Sequence, residues 1–92
     1  MPVICYFHGI YISMYFLDTK RHSVPHIHVN FVEYEAVYSI PLGNKLDGFM
    51  PTKKDKLIRM WIFLNEEQLM DNWSKAVKGL PLTSIEPLKI KK

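Results

Sequence analysis

The alternation of apolar and polar residues in the first half of the chain predicts a β-sheet. From residue 26 onward, polar residues alternate with the apolar residues Ile27, Val29 and Phe31. Residues two apart lie on the same face of a strand, so this β-branched and aromatic set should face the core. The same alternation places His26 and His28 together on the opposite, polar face.

Four further segments complete the predicted sheet. They cover residues 3–7, 10–16, 34–40 and 46–50. The dipeptide His8-Gly9 predicts a tight turn between the first two. The turn that precedes residue 34 contains neither Gly nor Asn, so the hairpin there rests on the alternation alone. We therefore expect about four or five short strands, most of them antiparallel.

Helical periodicity replaces the alternation in the second half of the chain. Thr52 followed by Asp55 resembles a capping box, and Gly79 and Pro81 are stop signals. The apolar side of the helix rotates by roughly a quarter turn at Asn65. We expect a kink or break at that residue, with one continuous helix as the alternative.

These patterns predict a single α+β domain over 1–92. A small, mostly antiparallel sheet in 1–50 would pack against a long C-terminal helix or kinked helix pair in 52–79. Prolines make 80–92 an extended tail. The composition, 48% hydrophobic with a net charge of +3, excludes a disordered chain. The single cysteine, Cys5, fits the cytoplasm, and no apolar run is long enough to predict a membrane span.

A set of short motifs is spread over nearly the whole chain. The most specific is Pro25-His26-Ile27-His28-Val29. The others are Met1-Pro2-Val3-Ile4, Phe7-His8-Gly9-Ile10, Glu35-Ala36-Val37, Gly48, Pro51, Trp61, Trp73 and Ile85-Glu86-Pro87-Leu88. Together they resemble a small prokaryotic family catalogued as domain of unknown function 4160. The chain departs from that pattern at Val24, where the family often has proline, and at Ile27, where it often has an aromatic residue.

The resemblance implies a gene context rather than a reaction. Genes of this family often sit beside a small partner of another uncharacterised family, domain of unknown function 2442. That arrangement has led to toxin–antitoxin or regulator labels. We therefore expect a small cytoplasmic binding or regulatory protein of such a gene pair. It would act through the protein encoded nearby, with nucleic acid as a second kind of partner and without a cofactor.

The histidine pair also supports two other hypotheses. His26 and His28 are candidate catalytic residues of a ribonuclease-type toxin, because imidazole exchanges protons near neutral pH. Lys20, Arg21 and His22 precede the strand and would add positive charge to a binding site. A metal-binding domain is the other alternative, but zinc needs three or four ligands, so no metal site is predicted.

The sequence offers two candidate surfaces for the binding site. The first is the polar sheet face, where the alternation places Tyr11, Ser13 and Tyr15 beside the histidines. The second is a set of apolar side chains that point away from the main apolar sides of the helical region. These residues are Met60, Phe63 and Met70. They form an interface unless the C-terminal tail folds back and covers them. We expect the sheet face to be the functional one.

Overall fold

The computed structural model describes residues 3–15 and 24–89, and it has an α+β fold. The five strands are β1 Val3–Phe7, β2 Ile10–Ser13, β3 His26–Phe31, β4 Tyr34–Ser39 and β5 Lys45–Gly48. Two helices follow, α1 Thr52–Leu64 and α2 Glu66–Val77. The strands form one sheet in chain order, β1-β2-β3-β4-β5, and every neighbouring pair is antiparallel. The predicted fold class is confirmed. Within the described residues, no helix is long and apolar enough to cross a membrane.

Left-handed backbone conformations form the tight turns of the sheet. His8 and Gly9, with φ of 49° and 78°, join β1 to β2, as the glycine predicted. Val32 lies in the turn between β3 and β4 with φ of 53°, which is rare for a β-branched residue. At Gly48, with φ of 84°, an added Cβ would collide with the carbonyl oxygen of Glu35. Only glycine fits at the end of β5.

One strand is shorter than predicted, and another is displaced along the chain. β2 ends at Ser13 rather than at residue 16, although Met14 is still fully buried; Phe16 lies outside the described residues. β5 spans Lys45–Gly48 rather than 46–50, because the left-handed conformation of Gly48 ends the strand. Met50 belongs to the core instead.

The predicted break at Asn65 is confirmed. Its φ of −124° and ψ of 28° separate α1 from α2. The N–H of Asn65 donates to the carbonyl of Trp61 at 3.1 Å, and the N–H of Leu69 donates to the carbonyl of Asn65 at 2.9 Å. Because helical i to i−4 bonds are made on both sides of the break, the chain bends there without reversing.

The predicted capping box at the start of α1 is wrong. Pro51 is the N-cap, and no side chain bonds to the first turn. The carboxylate of Asp55 instead accepts hydrogen bonds from the hydroxyl of Tyr38 and from Nε of Arg59. A buried hydroxyl needs a partner, and Asp55 serves Tyr38 rather than the helix end. At the other end, α2 stops at Val77, two residues before the predicted limit.

The inner face of the sheet packs against α1. Ile27 and Val29 are buried, as predicted, together with Ile58, Trp61 and Ile62 of the helix. The ring centroids of Phe7 and Trp61 lie 6.1 Å apart. Phe31 also faces the core, as predicted, although it is only partly buried. Its ring is half-buried near the edge of the core, with Nζ of Lys54 4.8 Å above it.

The described part of the C-terminal tail, 80–89, contains no helix or strand and lies against the rest of the fold. The N–H of Ile85 donates to the carbonyl of Ile4 in β1 at 2.8 Å. The indole N–H of Trp61 donates to the carbonyl of Glu86 at 2.8 Å. The tail therefore covers one edge of the sheet and the end of α1.

Candidate functional site: the outer sheet face

The strand register arranges polar and aromatic side chains in two rows on the sheet face opposite α1. The first row is Tyr6, Tyr11, Asn30 and Glu35. The second row is Val3, Ser13, His28, Val37 and Asp47. Directly opposed residues on neighbouring strands share a face, about 5 Å apart. We call these two rows the outer face.

Two tyrosines form the aromatic part of the outer face. The rings of Tyr6 and Tyr11 lie with their centroids 4.5 Å apart. They remain 52% and 49% exposed, and their ring planes are tilted by 42° to each other. Beside them, the side-chain amide of Asn30 donates to Oε1 of Glu35 at 3.0 Å. The first row therefore offers an exposed aromatic pair bordered by a hydrogen-bonded amide and a carboxylate.

The two histidines of the motif occupy different environments. His26 is only 1% exposed, and its ring lies 5.1 Å from the ring of Trp73 in α2. Its Nδ1 donates to the carbonyl of Val24 at 2.8 Å, since a carbonyl can only accept. His26 shares a face with His28, as the alternation predicted, but it is buried rather than exposed. β3 begins at this residue, and α2 covers that end of the strand.

His28 is the histidine that lies on the outer face. It is half-buried, and its ring centroid lies 4.4 Å from that of Tyr15 and 5.2 Å from that of His26. The predicted grouping of Tyr11, Ser13 and Tyr15 around the histidines agrees with these contacts and with the strand register. His28 is therefore fixed between an aromatic side chain and a buried one, with part of its ring open to solvent.

The burial of His26 limits what the pair can do chemically. Acid–base catalysis needs both groups within hydrogen-bond reach of the substrate, and His26 is enclosed by its own strand and α2. Among residues 3–15 and 24–89, no three His, Cys, Asp or Glu side chains are grouped as metal ligands. Lys20, Arg21 and His22 lie outside the described residues, so their part in a site stays a prediction.

Tyr6 is among the residues of this face that sequence reasoning missed. The signal was present in the His8-Gly9 turn. A two-residue hairpin turn places residues 7 and 10 opposite each other, and therefore also Tyr6 and Tyr11. The turn and the alternation together were sufficient to identify the tyrosine pair.

The helical surface differs from the predicted one. Met60 and Phe63 are exposed, at 53% and 70%, so tail residues 80–89 do not cover them. Met70 is half-buried and packs against the core, so it is less exposed than predicted. Leu64, 61% exposed, was not predicted and lies beside Phe63 in its place. Leu64 also lines a shallow cavity of about 300 Å³ with Asn65 and tail residues 86–89.

Comparison with known proteins identifies one family. A family model described as Domain of unknown function (DUF4160) matches residues 9–74, which is more than two thirds of the chain. No curated protein and no solved structure matches the chain. The matched segment runs from the β1–β2 turn into α2. It contains Tyr11, His26 and His28 of the sheet and Met60 and Phe63 of the helix, but not Tyr6.

Proposed function

Since the chain belongs to the DUF4160 family, a domain of unknown function, we propose its function from its geometry: it is a binding module that holds a protein partner on the outer face. The observation that carries this proposal is the half-exposed ring pair of Tyr6 and Tyr11. Tyrosine is enriched in protein interfaces because its rigid ring supplies contact area while its hydroxyl still forms hydrogen bonds.

The charges of the outer face favour protein over nucleic acid. Its two rows include Glu35 and Asp47 and no lysine or arginine. Phosphate groups bind where basic residues neutralise them, and the two described rows supply none. The half-buried Asn30 and His28 add polar side chains beside the tyrosines and the carboxylates. This mixture suits a polypeptide surface.

The buried position of His26 favours binding over catalysis. A ribonuclease of the type considered above would use both histidines on one phosphate. Only His28 has an accessible part of its ring, while His26 is held by Val24 and Trp73. A single imidazole on an open sheet face can recognise a partner without any chemical step.

We infer the partner from the gene context implied by the family resemblance. It would be a small protein encoded nearby, of the type called domain of unknown function 2442. The pair would form a toxin–antitoxin-like regulatory unit in the cytoplasm. The free and buried thiol of Cys5 is compatible with a reducing compartment.

The test is calorimetric titration of the purified chain with the protein encoded by the neighbouring gene. Tyr6→Ala and Tyr11→Ala should each weaken binding by about tenfold or more, because central aromatic residues carry most interface energy. Phe49→Ala is the matched control. Phe49 is a 59% exposed aromatic residue outside the two rows, and its loss should change binding by less than about twofold.

Two results would contradict the proposal. Equal losses for Phe49→Ala and Tyr11→Ala would show that the outer face has no special part in binding. Cleavage of RNA by the purified chain, abolished in His28→Ala, would support the ribonuclease alternative instead.

A further inference from the structure

The outward side of α1 carries a cluster of exposed apolar side chains. At about 100° per residue, Met60, Phe63 and Leu64 share one side of the helix, opposite the buried Ile58 and Ile62. They are 53%, 70% and 61% exposed. Single exposed apolar residues are ordinary, but three within about one turn form a patch of the kind that marks an interaction site.

Opposite charges flank this patch along the helix. Lys56 lies about one turn before Met60, and Glu67 lies about one turn after Phe63. Both side chains are exposed, and neither forms an ion pair or hydrogen bond with the described part of the chain. The surface is therefore basic at one end, apolar in the middle and acidic at the other end.

This order of charges makes the surface complementary to itself. A two-fold axis midway between positions 61 and 62 exchanges Met60 with Phe63 and Lys56 with Glu67. In an antiparallel pair of copies, each apolar patch would meet the other, and each Lys56 would face a Glu67 of the second copy. The bend at Asn65 does not reverse the chain, so Glu67 stays beyond the patch on the side away from Lys56.

We propose that the outward side of α1 is a self-association surface whose occupant is a second copy of this chain, docked antiparallel. The charge pattern argues for this occupant, because a different partner would need its own acidic, apolar and basic groups in reverse order. The patch is small beside a standard interface of about 800 Å² per partner, so the dimer should be weak and concentration-dependent.

This inference does not rest on the proposed function, and it has a consequence for it. α1 packs on the inner face of the sheet, so a dimer formed through the far side of α1 leaves both outer faces uncovered. The two outer faces would point away from each other. Each dimer would then bind two partners, one at each end.

The experiment is sedimentation equilibrium of the full chain alone, over about 1 µM to 1 mM. The wild type should show a monomer–dimer equilibrium. Phe63→Gln should raise the dissociation constant by about tenfold or more. Lys56→Glu and Glu67→Lys should each weaken the dimer, because each places like charges opposite one another. Lys78→Glu is the matched control, since Lys78 is exposed at the end of α2, and it should leave the dimer unchanged.

The double variant with exchanged charges tests whether the two copies dock antiparallel. Lys56→Glu with Glu67→Lys in the same chain restores opposite charges across the two-fold axis. It should bring the dissociation constant back to within about twofold of the wild type. A wild type that stays monomeric throughout would overturn the proposal. The proposal would also be overturned if the losses of dimer affinity in the two single variants simply added in the double variant. A dimer whose dissociation constant is unchanged by Phe63→Gln would overturn it as well. All variants are at exposed positions, and circular dichroism should show them folded.

Discussion

The imidazole ring of His26 lies 5.1 Å from the indole ring of Trp73, and this contact joins the start of β3 to α2. His26 is thereby buried, while His28, two residues further along the same strand face, stays partly open. The two histidines of the motif therefore differ in role. The first holds a helix against the end of the sheet, and the second belongs to the outer face.

Alanine substitutions should separate these roles. His26→Ala removes a buried ring and its hydrogen bond to Val24, so it should lower the free energy of unfolding by about 2–4 kcal/mol. His28→Ala should cost less than about 1 kcal/mol, because the ring is only half-buried. Urea unfolding followed by tryptophan fluorescence measures both. Equal costs for the two variants would contradict the assignment.

Val32 should be a site where substitution stabilises the chain. Its φ of 53° strains a β-branched residue by about 1–2 kcal/mol, and its side chain is 79% exposed, so little packing is lost on replacement. Val32→Asn should therefore raise the free energy of unfolding by about 1 kcal/mol. Glu33→Asn is the control, since Glu33 is not in the left-handed region. No gain at position 32 relative to position 33 would mean that this turn is unstrained.

Asp55 should make stability depend on pH in the acid range. Partial burial alone would raise the pKa of its carboxyl group, but hydrogen bonds from Tyr38 and Arg59 together hold that pKa below its ordinary value. A depressed pKa stabilises the fold above the unfolded value of about 4, and this contribution is lost as pH falls through the folded pKa. Urea unfolding at several pH values below about 5 should show a steeper decline for wild type than for Asp55→Asn. Parallel declines would contradict this.

Cys5 should make stability depend on pH in the alkaline range. Burial raises the pKa of its thiol from 9.0 to about 11. A raised pKa contributes stability below the unfolded value, and that contribution is lost as pH rises from about 9 towards 11. Burial and the hydrogen bond to Asp55 also raise the pKa of Tyr38. The pH dependence of wild type must therefore be compared with that of Cys5→Ala, in which Tyr38 is unchanged. Cys5→Ala should lose stability less steeply over this range than wild type, and an equal slope would contradict the assignment.

Local sequence patterns predicted much of this fold, because each pattern depends on the structure of one strand or helix. Alternation assigned Ile27 and Val29 to the core, and the change in helical phase located the bend at Asn65. The environment of His26 was not predictable in this way. Alternation gives the face of a strand, but it does not show that a helix far along the chain covers one end of that face. Val32 gave no turn signal, because its conformation is one that its side chain disfavours.

The most direct test of the outer face as the binding site is an NMR titration of isotope-labelled chain with the unlabelled protein encoded by the neighbouring gene. The largest shift changes should occur at residues 10–13, 28–30 and 35–37, with small changes along the outward side of α1. Changes confined to residues 56–67, with the resonances of Tyr11 and His28 unaffected, would contradict it.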